Sequence, residues 1–225
     1  MKRAVSVLLM LALSMACRDQ QSVTSPGSPR IAGAIFDGSQ TNGNPHFFFL
    51  PPMVSQPTFS GALNANVAPR VQICILNGAA CDPGISPINP GTVQLDGDHY
   101  LVNWNTGATD VSTSLMYRIQ VFAAGELLGF ADVQPVTNGS QLKNLKTGDI
   151  IGLVDGRTLP IRFRIENGAL CFTQADCGEG VVGPAGGTVV TTLQGAGAFF
   201  PVGALTRTVT KPFVPPSGGC TTPTR

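Results

Sequence analysis

Charge is scarce in this chain, and its scarcity argues against several classes of protein. Only 12% of the 225 residues are Asp, Glu, Lys or Arg, and glutamate occurs three times. No segment of ten or more residues after position 17 has the spacing of an amphipathic helix, so helical folds are disfavoured. The net charge of +1, without a basic cluster, gives no argument for nucleic-acid binding. We therefore predict no nucleic-acid partner.

Several catalytic motifs are missing too. The chain has no G-x-S-x-G, H-E-x-x-H or G-x-x-x-x-G-K-[ST] sequence. What is abundant is Gly (27) and Pro (18), with frequent Val, Thr, Ile and Phe, a composition typical of strands joined by turns. We predict an all-β, non-enzymatic protein without a cofactor or a metal site.

The first 30 residues change character at Cys17. Lys2 and Arg3 precede an uncharged apolar run (4–16), which is the pattern of a secretory signal peptide. This run is shorter than the roughly 20 apolar residues of a membrane span. Residues 17–30 are polar and rich in Ser and Pro, which indicates a flexible tether.

The sequence LSMAC at positions 13–17 resembles the cleavage site of bacterial lipoproteins. The resemblance implies cleavage after residue 16 and a diacylglycerol thioether on Cys17. It also implies an extracytoplasmic protein held at a membrane by its lipid. Arg18 follows the cysteine in place of the Asp that indicates inner-membrane retention in enteric bacteria, so we expect the outer membrane or cell surface rather than the inner membrane. Two or more acyl chains anchor a protein stably, whereas one holds it weakly. The alternative is an ordinary signal peptide followed by an incidental cysteine.

Four other cysteines form two closely spaced pairs. Cys74 and Cys81 enclose ILNGAA, and Cys171 and Cys177 enclose FTQAD. In an exported protein we predict that each pair closes as a local disulfide. Cys220 is then left over. Two alternatives are a bond from Cys220 to the predicted lipid-bearing cysteine, which would remove the anchor, and a zinc site, which the spacing of the pairs disfavours.

Alternation of apolar and polar residues predicts antiparallel strands between residues 31 and 177. The apolar positions are Val71, Ile73 and Ile75; Tyr100, Val102 and Trp104; Leu115, Tyr117, Ile119 and Val121; and Ile161, Phe163 and Ile165. Ala124-Gly125-Glu126 and Asp155-Gly156-Arg157 are predicted hairpin turns. We expect an antiparallel β-sandwich over 31–177 with immunoglobulin-like topology.

Three consecutive phenylalanines, Phe47 to Phe49, cannot all face one side of a strand. We predict that they belong to the core of a strand at the sheet edge, ended by the prolines that follow. The alternative is an exposed aromatic platform for a carbohydrate, formed by Phe48, Tyr100 and Trp104. Such a platform needs exposed rings, so burial of Phe48 and Trp104 removes its support.

The segment Asp96-Gly97-Asp98-His99 places two carboxylates and an imidazole within four residues. A calcium loop uses five or more oxygen ligands, and only Asp96 and Asp98 qualify. An Asp-Gly step before a strand is first of all a turn. We predict a turn here, with a calcium site or an acid/base site as the alternatives.

Two family resemblances cover the rest of the chain. The segments NPHFFFLPPMV, RVQICILNGAAC, YRIQVFAAGELLGFADV and LVDGRTLPIRFRIENGALC, within 31–177, resemble a repeated surface-protein architecture of Gemmatimonadota-like bacteria. This resemblance implies a location and a β fold, and no chemistry.

Residues 181–210 resemble the opening of the ZU-type β module of ankyrins, netrin receptors and zonula occludens proteins. The matching parts are Gly186-Gly187, the strand 188–192, residues 198–200 and Pro201-Val202-Gly203-Ala204-Leu205. The resemblance implies a partial β module over 178–225. A fragment of this size buries too little apolar surface alone. It therefore packs on the first domain, stays partly disordered or marks a truncated product; we expect the last two.

Two function classes follow. The first is a cell-envelope lipoprotein with a structural, adhesive or ligand-displaying role, whose envelope ligand the sequence does not identify. The second is an exported carbohydrate-binding module or enzyme accessory domain.

Overall fold

The computed structural model describes residues 35–40, 42–142, 150–193 and 195–215. The described residues belong to one compact unit, Ile31–Arg225. The predicted signal peptide (1–16), the tether (17–30) with Cys17, and Cys220 lie outside the described residues. No helix in the described ranges is long and apolar enough to cross a membrane.

Strands dominate the described chain. They are β1 (Ile35–Phe36), β2 (Phe47–Phe49), β3 (Arg70–Asn77), β4 (Ala80–Cys81), β5 (Gln94–Asp96), β6 (His99–Asn105), β7 (Tyr117–Ala123), β8 (Glu126–Val136), β9 (Ile151–Val154), β10 (Thr158–Ile165), β11 (Gly178–Val182), β12 (Gly187–Val190), β13 (Gly197–Phe200) and β14 (Val209–Phe213). Single 3₁₀ turns occur at Thr106–Ala108 and Ala169–Cys171.

The first ten strands form two sheets. The larger has the order β1-β8-β7-β3-β4, with β9 parallel to β8, and the smaller has the order β2-β10-β6-β5. Every other pairing in the two sheets is antiparallel. The predicted all-β antiparallel sandwich is confirmed. Its immunoglobulin-like strand order stays a prediction.

A single core cluster contains side chains from both sheets. Trp104 of β6 meets Tyr117 of β7 with 5.8 Å between ring centroids. The inward faces of β3, β6, β7 and β10 are those that period-two alternation predicts, because a half-buried strand points every second side chain inward. Leu115 is the exception: it precedes β7 and is 38% exposed.

Gly129 lies at a close approach between the sheets. A Cβ placed on this residue of β8 would lie 2.5 Å from the Phe47 ring of β2 and 2.4 Å from the Phe36 carbonyl oxygen. Only a residue without a side chain fits, so the glycine lets Phe47 pack directly against the β8 backbone.

The two predicted hairpin turns have different outcomes. Ala124 (φ 53°) and Gly125 (φ 95°) form the tight turn between β7 and β8, as predicted. Gly156 also has positive φ (77°), but β9 belongs to the larger sheet and β10 to the smaller. The hairpin prediction for Asp155-Gly156-Arg157 is therefore wrong. The turn carries the chain from one sheet to the other.

The C-terminal residues form two further ladders, β11 with β14 and β12 with β13. They contact the sandwich directly: the Thr210 N–H donates to the Asn66 carbonyl at 2.8 Å. The described residues of this segment therefore pack on the first domain, which is one of the three predicted outcomes. The predicted boundary at residue 177 stays a prediction.

Candidate functional site

The residues of the predicted aromatic platform are buried. Phe48 is 5% exposed, Tyr100 3% and Trp104 0%. Phe48 points to the opposite side of β2 from its two neighbours, where Phe59 covers it at 5.9 Å between ring centroids. Because no flat ring is presented to solvent by these three residues, the platform prediction is wrong, and their role is in packing.

Tyr100 has a polar contact inside the fold. Its hydroxyl donates to the Asn64 carbonyl oxygen at 2.7 Å. Burial raises the pKa of Tyr100 to about 12, because the phenolate is more poorly solvated than the neutral phenol. The residue is therefore a neutral hydrogen-bond donor at physiological pH.

The Asp96-Gly97-Asp98-His99 segment is the predicted turn. It joins β5 to β6, with Gly97 at φ 61°. His99 Nδ1 lies 3.1 Å from the Asp98 carboxylate, a hydrogen bond that holds the pKa of Asp98 below its usual range. Within the described residues, no group of three or more His, Cys, Asp or Glu side chains is arranged to hold a metal ion.

Both predicted disulfides are present. Cys74 of β3 bonds to Cys81 of β4, and Cys171 bonds to Cys177 just before β11. Each closes a short loop, and the second joins the end of the sandwich to the first C-terminal strand. Disulfides persist in oxidising compartments, so the pair is compatible with an extracytoplasmic location.

A polar cluster connects the C-terminal strands to the sandwich. Glu179 of β11 accepts hydrogen bonds from Asn64 Nδ2 at 2.9 Å and from the backbone N–H groups of Gly168 and Leu170 at 3.1 Å. The Thr210 hydroxyl of β14 donates to Asn64 Oδ1 at 2.6 Å. Asn64 is 1% exposed, so this junction is an interior contact.

A second buried group lies beside this junction. Arg164 donates to Glu166 Oε1 at 3.4 Å and to the carbonyls of Asp98 and Gly61 at 2.9 and 3.0 Å. His46 Nδ1 lies 3.8 Å from Glu166 Oε2. The hydrogen bonds of Arg164 connect the β5–β6 turn and the Gly61 loop to β10. The role of this group is therefore structural.

An open cleft of about 400 Å³ lies at the side of the sandwich. Its lining includes Val67, Arg70, Thr92, Leu95, Tyr100 and Arg207, and contains no Asp or Glu. The Arg70 guanidinium lies over the Phe122 ring at 4.8 Å, and Phe122 is its register partner on β7. The cleft is a candidate surface for a small ligand, with Arg70 and Arg207 as exposed cations.

A glycine-rich sequence begins the C-terminal segment. Residues 178–183 are G-E-G-V-V-G, which has the letters of a dinucleotide-binding fingerprint. That fingerprint places its glycines between a strand and a helix N-terminus. Here Gly178–Val182 is itself strand β11. Gly178 is needed for another reason: a Cβ on it would lie 2.0 Å from the Val190 carbonyl oxygen.

The chain matches no known protein family, no curated protein and no solved structure at a significant level.

Proposed function

We propose that this protein is an exported, non-enzymatic lipoprotein of the cell envelope. A lipid on Cys17 holds it at the membrane, and the sandwich after the tether serves adhesion, envelope structure or ligand display. The observation that carries the proposal is the pair of local disulfides in an all-β fold. Such bonds are rare in reducing compartments. The apolar leader that ends at Cys17 supports the same route.

The alternative, a carbohydrate-binding module, rested on Phe48, Tyr100 and Trp104. With those rings buried, no specific observation favours it. The open cleft near Arg207 remains the best candidate surface for ligand display, because apolar side chains such as Val67 and Leu95 lie there beside the cations Arg70 and Arg207.

The test is intact mass spectrometry of the protein from membranes of a bacterial host that expresses the full chain. We expect a mature chain that begins at residue 17, carries a diacylglycerol adduct and contains two disulfides. A Cys17→Ser variant should lose the adduct and leave the membrane fraction. The matched control, Cys220→Ser, should keep both. A chain with an intact leader and reduced thiols in the cytosol contradicts the proposal.

A further inference from the structure

One face of the β12–β13 hairpin is apolar and open to solvent. The register pairs Thr188 with Phe199 and Val190 with Gly197, so these four residues share that face. Phe199 is 74% exposed and Val190 54%. We call these four residues the hairpin face. No residue between 180 and 206 is charged, which is unusual for a solvent-exposed surface.

The edge of β13 beside this face is also open. The Thr191 N–H donates to the Ala196 carbonyl at 2.7 Å, so Thr191 and Ala196 are a hydrogen-bonded pair of the β12–β13 ladder. Hydrogen-bonded pairs alternate in an antiparallel ladder, so the N–H and C=O groups of Gly197 and Phe199 point away from β12. No other strand of the described chain pairs with β13. Two donors and two acceptors therefore lie along an uncharged edge.

The open edge decides what kind of partner fits. A lipid bilayer would cover the Phe199 ring but would leave these backbone groups without hydrogen bonds, at a cost of several kcal/mol each. An added strand satisfies both the ring and the backbone. Natural edge strands are protected by lysine or proline in the strand, and the four residues of β13 contain neither.

We infer that β13 pairs antiparallel with β13 of a second copy of this chain, about a two-fold axis at Ala198. In this register, Gly197 of each copy faces the partner's Phe199, and the pairs form four backbone hydrogen bonds. A register centred on Phe199 would oppose Gly197 to the partner's Pro201, which has no N–H. The two hairpin faces become continuous, and each Phe199 ring covers the partner's Gly197. Because neither surface is charged, like-charge repulsion does not oppose the contact.

The register makes a specific prediction for cross-linking. Ala198 and the partner's Ala198 form a non-hydrogen-bonded pair, whose Cα atoms lie about 4.5 Å apart in such ladders. This distance is within the range of a disulfide. We expect Ala198→Cys, in a Cys220→Ser background, to give a disulfide-linked dimer when an unfractionated lysate of cells that express the full chain is oxidised with copper phenanthroline. Thr188→Cys is the matched control. It lies one strand away from the axis, beyond disulfide reach, and should remain monomeric.

A second variant tests the contact rather than the cysteine. Phe199→Lys in the Ala198→Cys chain places two cations at the centre of the interface and should lower the dimer yield at least tenfold. Ile85→Lys, on an exposed apolar residue of the sandwich, is its control and should leave the yield unchanged. The inference is overturned if Ala198→Cys stays monomeric, if it links only to another protein, or if the yield is unaffected by Phe199→Lys. Lipid on Cys17 plays no part in these readouts, so they are independent of the proposed function.

Discussion

Arg118 and Asp132 form a two-point ion pair across β7 and β8. Arg118 Nε and Nη2 donate to the two carboxylate oxygens at 2.6 and 2.9 Å. The residues are 8% and 1% exposed, and the guanidinium lies 3.8 Å above the Phe130 ring. Water screens such a buried ion pair only weakly, so removal of either charge leaves the other buried without its counter-charge.

Asp132→Asn should lower the free energy of unfolding by about 3 kcal/mol, because it leaves a buried guanidinium without its counter-charge. Chemical denaturation measures the change. Asp110→Asn, at an exposed carboxylate, is the control and should change stability by less than about 0.5 kcal/mol. The double variant Arg118→Met with Asp132→Leu should recover most of the loss. An Asp132→Asn chain as stable as wild type would show that the pair contributes little.

Tyr100 makes stability depend on alkaline pH. Its pKa is 10.0 in an unfolded chain and about 12 in the fold. Between these values the unfolded chain has lost the proton and the folded chain retains it. Stability therefore falls as pH rises from 10 to 12, by on the order of 2 kcal/mol from this residue. Denaturation of wild type and Tyr100→Phe at pH 8 to 12 measures it. We expect a shallower decline in the variant, and parallel curves would refute the assignment.

Gly129→Ala tests the close approach of the two sheets. The added methyl group would overlap the Phe47 ring and the Phe36 carbonyl, so we expect a loss of about 1–3 kcal/mol. Gly139→Ala is a matched control, because a Cβ there meets nothing within 4 Å. Thermal unfolding of both variants gives the comparison. Equal melting temperatures would mean that the sheets are less closely packed than described.

Glu179→Gln tests the junction between the C-terminal strands and the sandwich. Both carboxylate oxygens accept hydrogen bonds, and an amide NH₂ in place of either oxygen would face a donor. We expect a loss of about 1–3 kcal/mol and faster hydrogen exchange in β11 and β14. Glu126→Gln, at the exposed first residue of β8, is the control. Unchanged exchange in β11 would contradict the role given to Glu179.

Removing the second disulfide should act on the same junction. Cys171→Ser with Cys177→Ser opens the loop that leads into β11, at a cost of about 2 kcal/mol. We expect limited proteolysis to cut first within 172–176, while Cys74→Ser with Cys81→Ser leaves that region resistant. Equal cleavage patterns in the two double variants would show that the Cys171–Cys177 bond does not hold the junction.

The strands of the sandwich could be predicted because burial of one face leaves a period-two trace in the sequence. Residues that cover the opposite, polar face of a strand are distant in sequence and leave no periodic pattern. Alternation alone puts Arg118 on the polar side of β7, opposite the core, but in the fold Phe130 and Asp132 cover it. The Asp155-Gly156 turn has the residue types of a β-hairpin turn. Only the pairing of β10 with β6 shows that the chain passes from one sheet to the other there.

Long-range contacts explain the remaining misses. The junction joins Asn64 to Glu179 and to Thr210, each more than 100 residues later in the chain, and no local sequence pattern predicts these contacts. The prediction of an aromatic platform was wrong for a related reason. The sequence of one strand does not show whether its aromatic side chains face solvent or a second sheet. The two disulfides could be predicted because the paired cysteines are near each other in sequence.

The position of β2 has a consequence for the order in which the protein acquires its structure. Among the described strands, β2 pairs only with β10, which is more than 100 residues later in the chain. A polypeptide emerging N-terminus first therefore presents Phe47, Phe48 and Phe49 long before their neighbour exists. During that interval these three phenylalanines have no native strand to pair with, so they are a target for a holding chaperone.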